Sequence, residues 1–153
     1  MMKVNLKLAK KKIIHLLPQD VVGGAESAAK TASNLRSNNY DFYLQFLVNK
    51  KIKIRLLANI YGFFEILLSS IKVVKTNPDF ILVSLWKSCL SATIIKFINP
   101  KIKIILFLHL PRSTNLIDYI FTKYIAKLAY QIWADSKSTI DERGKELSLD
   151  LSK

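Results

Sequence analysis

The chain has few residues that could brace it covalently or turn it sharply. Among 153 residues there are one cysteine, four glycines and four prolines. A single thiol, Cys89, excludes an internal disulfide, and in its apolar stretch it reads as a small buried hydrophobe. So few Gly and Pro, with 50% of residues hydrophobic, exclude a disordered or low-complexity chain. Two histidines, one cysteine and no paired carboxylate box leave no metal-ligand spacing. Neither the G-x-S-x-G nucleophile elbow nor the dinucleotide fingerprint G-x-G-x-x-G occurs.

Acidic residues are scarce as well: 11 Asp plus Glu face 24 Lys plus Arg, a net charge of +13. Such a field attracts polyanions. The chain is also rich in Lys, Ile and Asn together, which an AT-rich coding sequence produces without selection for binding. The basic residues are scattered, with clusters at Lys10–Lys12 and Lys50–Arg55 and little aromatic interleaving. That pattern argues against nucleic acid and leaves an anionic membrane face as the polyanion to consider.

Long apolar runs are missing too. The run Ile13–Leu17 is interrupted by His15 and stopped by Pro18, short of the roughly 7–15 residues of a signal-peptide core. Leu56–Val74 approaches the roughly 20 residues of a spanning helix. Glu65 lies near its middle, where an ionised carboxylate costs on the order of 3 kcal/mol. The segment reads instead as a long helix buried on one domain face or lying on a bilayer.

What is present is an alternation of elements over about one domain's length. Strands are expected at Lys11–Leu17, Phe42–Val48, Phe80–Leu85, Lys103–His109 and Gln131–Ala134. Helices are expected at Ala25–Arg36, Arg55–Lys75, Ser88–Ile98, Leu116–Tyr130 and from Thr139 to Leu147, with Thr139 and Glu142 spaced as a capping box. Asn38 and Asn39 are candidates for a left-handed helix end. This order predicts an α/β fold, a Rossmann-like parallel sheet with helices on both faces. The expected organisation is a basic tail over 1–10, a domain over 11–147 and a tail over 148–153.

Ligands of open parallel sheets bind beyond the carboxyl ends of the strands. There the sequence puts Gly23, Gly24 and Glu26, then Ser84 and Trp86, then His109, then Asp135 and Ser136. The glycine pair before a helix suits either a plain tight turn or a phosphate held on backbone amides. Glu26 in a first helical turn is stabilised there by the helix dipole. His109 is either a satisfied structural histidine or a group that bonds a substrate and shares its proton. His15, inside a strand, is assigned to the core.

Taken in order, several segments resemble the amino-terminal domain of the retaining family 4 glycosyltransferases, which have the two-domain GT-B fold. They are Lys12-Ile13-Ile14-His15-Leu16-Leu17, Gly23-Gly24-Ala25-Glu26, Asn77-Pro78-Asp79-Phe80-Ile81, Ile104 to His109, and Ile132-Trp133-Ala134-Asp135-Ser136. Leu110, after the histidine, and Asn39-Tyr40, before the second strand, depart from that family's pattern. The resemblance implies an acceptor-side domain and transfer of a sugar from a nucleotide-sugar donor to a saccharide or lipid-linked acceptor. His109 would be the catalytic residue, and Gly23, Gly24, Glu26 and Ser136 would contact substrate or phosphate. No cofactor is implied, since the nucleotide sugar is a substrate. A carboxyl-terminal donor-binding domain has no counterpart in these residues, so a second chain supplying it is an expected partner and the chain alone is expected to be inactive. The expected location is cytoplasmic, peripheral at the inner membrane face. A non-catalytic membrane-surface or partner-binding module on the same fold is the alternative.

Overall fold

Short blocks of Ile, Leu, Val and Phe form five strands, and the segments between them form helices. In chain order they are β1 (Lys11–Leu17), α1 (Gly24–Ser33), β2 (Tyr40–Phe46), α2 (Arg55–Lys75), β3 (Phe80–Val83), α3 (Trp86–Ile98), β4 (Lys103–Leu108), α4 (Leu116–Leu128), β5 (Gln131–Ala134) and α5 (Lys137–Leu147). The computed structural model describes residues 10–20, 23–34, 37–48 and 55–149, without the side chains of 25 and 55–60. The basic tail, apart from Lys10, and the tail beyond 149 lie outside the described residues.

All strand pairs are parallel, in the order β2-β1-β3-β4-β5. The chain first steps from β1 to β2 on one side, then crosses back over β1 to β3 on the other. This reversal makes a topological switch point between β1 and β3, the usual mouth for ligands in such sheets.

The two-residue period of a strand sorts the core onto two faces. Ile14, Leu16, Ile81, Val83, Ile104, Leu106 and Leu108 pack with Ile66, Val73, Cys89, Ala92, Ile95, Ile125 and Ala126 from α2, α3 and α4. The alternate residues Ile13, Phe80, Leu82 and Ile105 form a smaller cluster with Phe42 and Phe107 on the other face. Right-handed crossovers explain this unequal split: α2, α3 and α4 carry connections in one direction and share one face, while α1 runs the other way and takes the second. Helices therefore flank both faces, as expected, but the second has much less cover.

A groove of about 550 Å³ lies on that second face, floored by Ile13, Phe42, Phe80 and Ile105 and bordered by Ala32 of α1, Tyr130 and Trp133. Lysine stems shield part of it. Lys103 Nζ sits 4.3 Å over the Tyr130 ring and 5.6 Å over Phe80, and Lys11 Nζ 5.9 Å over Phe80. The aliphatic stems cover apolar surface while the charges stay in water.

Several local expectations need correction. Helix α5 starts at Lys137 with Ser136 as its N-cap, so the capping pair is Ser136–Thr139 and not Thr139–Glu142. β2 begins at Tyr40 and ends at Phe46 rather than spanning 42–48. The backbone is left-handed at Asn77 and Ser148 and not at Asn38 or Asn39. Asn77 lies between α2 and β3, where Pro78 prevents the helix from continuing, and Ser148 ends α5.

Candidate active site at the carboxyl edge of the sheet

Strand parity also decides which side chains meet beyond the strand ends. His15 follows Ile13 on β1, Ser84 follows Leu82 of β3, His109 follows Phe107 of β4 and Asp135 follows Trp133 of β5, each two residues on. Those four predecessors belong to the face that carries the smaller cluster and the groove. The polar four therefore emerge on the α1 side of the sheet, where α1 brings Glu26. The switch point between β1 and β3 is thus lined by His15 and Ser84, with His109 one strand further on.

The polar contacts here are sparse. His15 Nε2 lies 2.9 Å from Ser84 Oγ in a buried hydrogen bond, and His15 Nδ1 is buried without a partner. Burial, with the neighbouring His109 acting in the same direction, lowers the His15 pKa to about 4. His15 is therefore neutral near pH 7. It is as buried as expected of a core residue, but it faces another histidine and a hydroxyl, so it belongs to the site.

The His109 ring packs edge-on to Phe107 at 4.2 Å. Its Nδ1 is 3.9 Å from Asp135 Oδ2, too far for a hydrogen bond but close enough for charge to act. Burial lowers the His109 pKa, while the carboxylates of Asp135 and Glu26 pull the other way. Asp135 favours the tautomer with its proton on Nδ1, which leaves the Nε2 lone pair free. That Nε2 is buried and has no partner. A neutral imidazole with a free nitrogen and two nearby carboxylates can accept a proton from, or bond to, a hydroxyl.

The loop after His109 is held firmly. Glu146 accepts from the Ser113 backbone at 3.0 Å and from its hydroxyl at 3.1 Å, and Asp118 accepts from the Thr114 backbone at 2.9 Å. Arg143, 3% exposed, joins the two acids, 3.2 Å from Asp118 and 2.6 Å from Glu146, and also donates to the Ser113 hydroxyl. Burial pushes the Glu146 carboxyl up, but the Ser113 and Arg143 hydrogen bonds outweigh it and hold the pKa below its ordinary value. This network ties α5 and the end of the loop after His109, at Ser113 and Thr114, to the start of α4. Nothing in the sequence signals it; Asp118, Arg143 and Glu146 carry no motif, and they meet only because α4 and α5 pack together.

Compared with models of known protein families the chain matches none, and no curated protein matches it. The site is therefore read from its own geometry.

The remaining candidates divide between that geometry and local structure. Gly23 is the N-cap of α1 in an extended conformation. A Cβ there would run into the Glu26 carboxylate. Glu26 is the third residue of the helix, from which an acid reaches back over the N-cap, and it is 8% exposed. Its carboxylate already sits at the positive end of α1, so a phosphate bound there would have to displace it. Gly24 faces open space, with no atom within 4 Å of the point a Cβ would occupy. Ser136 accepts from the Thr139 backbone at 3.1 Å and so caps α5, next to Asp135. The fold thus gathers Glu26 and His109, joined by His15, Ser84 and Asp135, while Gly23 and Ser136 serve helix starts beside them. Among the described residues no group of three or more His, Cys, Asp or Glu side chains is placed to hold a metal ion. Cys89, on the inner face of α3, is fully buried, and burial pushes its thiol up to about 12, which makes it inert.

Proposed function

We propose that the chain is the acceptor-side domain of a retaining glycosyltransferase resembling family 4, one that moves a sugar from a nucleotide donor to a saccharide or lipid-linked acceptor. The observation that carries the reading is the unpartnered, buried Nε2 of His109, flanked by Glu26 and Asp135 beyond the strand ends. In this reading His109 bonds the reacting hydroxyl or the donor sugar. Asp135 orients the ring. Glu26 adds negative charge near the imidazole and so supports its role as proton acceptor. The donor diphosphate leaves as the sugar is transferred, and groups that stabilise its developing charge come mostly from a second domain or chain.

The test is release of UDP or GDP from UDP- and GDP-sugars by this chain together with the polypeptide encoded downstream or in an adjacent gene. His109→Ala is expected to lower the rate by about 100-fold or more with the fold intact. Turnover unaffected by His109→Ala would overturn the assignment of that residue. Absence of turnover with every donor would overturn the transferase reading.

The groove beside α1 favours a second reading, a non-catalytic partner-binding module. Its apolar floor has room for side chains of another polypeptide. Capture of a partner without any sugar-nucleotide turnover would decide for it.

A further inference from the structure

The outer side of the helical layer has an unusual make-up. On α4, Leu116 is 70% exposed, Ile120 51%, Tyr124 48% and Leu128 36%, with Ile117 at 50%. These positions recur every three or four residues, so they form one stripe opposite Thr122, Ile125 and Ala126, which face the core. The neighbouring α3 ends in Phe97, 92% exposed, and Ile98. Beyond it, α2 exposes Phe64 and Leu68. Because α2, α3 and α4 lie side by side on one face of the sheet, these groups share a broad surface and not a groove.

The exposed charges on the same helices have one sign. Lys72, Lys75, Lys96, Lys123 and Lys127 belong to them. Their only carboxylates among the described residues are Glu65, half-buried, and Asp118, buried and paired with Arg143. No exposed acid of these three helices interrupts the surface. Exposed apolar groups on helices whose own exposed charges are all cationic are the signature of a membrane-interface surface, and contiguous exposed apolar patches mark interaction sites. Among the described residues no helix is long and apolar enough to cross a membrane. A second copy of the chain fits poorly, since each carries +13 and like fields repel.

We infer that the α2–α4 layer docks on a lipid bilayer bearing anionic headgroups, with the α4 stripe inserted at the interface and the exposed Lys72, Lys75 and Lys127 reaching the headgroups. The inference does not rest on the transferase reading, and either can fail alone. It is tested by sedimenting the full chain with vesicles of phosphatidylcholine alone or mixed with phosphatidylglycerol, at low and high salt. Partitioning is expected to be about tenfold or more stronger on the anionic vesicles and to weaken as salt rises. Ile120→Ser with Tyr124→Ser is expected to reduce it about tenfold, and Lys123→Glu with Lys127→Glu by a similar factor. Ile120, Tyr124 and Lys127 are exposed and Lys123 is half-buried, its Nζ bonded to the Tyr119 hydroxyl, and unchanged circular dichroism melts establish that the variants fold. The control carries Lys11→Glu with Lys103→Glu on the opposite face, the same charge change, and is expected to keep most of the binding. Equal loss in that control would overturn the inference in favour of unspecific charge attraction. Equal partitioning on both vesicle types, or a self-association abolished by the α4 variant with vesicle binding unchanged, would overturn it as well.

Discussion

Acid should weaken this fold through His15. Its pKa is lowered to about 4 by burial, against an unfolded value of about 6.5. The unfolded chain therefore binds a proton that the folded chain refuses throughout the interval between those values. Stability from this residue is complete above the unfolded pKa and is lost as pH falls through the interval, because protonation favours the unfolded state. With those two values the loss is about 2 kcal/mol by pH 5, approaching roughly 3 kcal/mol at still lower pH. The Glu146 carboxyl is held below its ordinary value, so its contribution disappears only in stronger acid, outside the window from pH 7 to 5. The assay is urea unfolding across that window for the wild type and for His15→Gln, which keeps a hydrogen-bonding group toward Ser84 and cannot titrate. The difference between the two stabilities should shift by about 2 kcal/mol in favour of the variant as pH drops. His109 is present in both chains and largely cancels. Parallel profiles, differing by less than about 0.5 kcal/mol over the window, would refute the reasoning that burial keeps His15 neutral.

Two further outcomes follow from the contacts that hold α5. Asp118→Ala leaves the Arg143 guanidinium, 3% exposed, with Glu146 as its remaining carboxylate partner, and by removing a charged hydrogen-bond acceptor should cost about 1.5–3 kcal/mol in urea unfolding; Asp118→Ala combined with Arg143→Met should cost distinctly less than the two single changes added together. Ser136→Ala removes the α5 cap and should cost about 1 kcal/mol, read as a lower denaturation midpoint with unchanged slope, whereas restoration by Ser136→Asp would confirm capping as the cause.

Elements with a strong one-dimensional signal were legible from the residues alone. β1 and α2 have the bounds that apolar runs and Pro breaks predicted, because periodicity and the proline constraint act on neighbours in sequence. The ends of α1 and β2 were displaced, since Gly24 opens the first helix and Tyr40 opens the second strand; the strand start is settled by pairing of Lys11 with Tyr40 across the sheet. The start of α5 was missed because Ser136, and not Thr139, has a hydroxyl placed to accept from the first turn.

The site divides in the same way. His109 and Glu26 could be nominated from their positions after apolar runs, since strand ends in a parallel sheet are where ligands bind. That His15 would face them could not be read from its sequence neighbourhood, which is apolar on both sides; it followed from the parity of β1 and the insertion of β3 beside it. By itself the sequence determined an α/β alternation, the positive charge and a short list of polar residues at strand ends, all properties of local order and composition. Only the tertiary structure decided that α2, α3 and α4 share one face and expose an apolar surface on which their own exposed charges are cationic, and that two neutral histidines come together beyond the strand ends. Both outcomes depend on the direction of each crossover and on which parity of each strand faces which layer, and these are set by contacts between segments far apart in the chain.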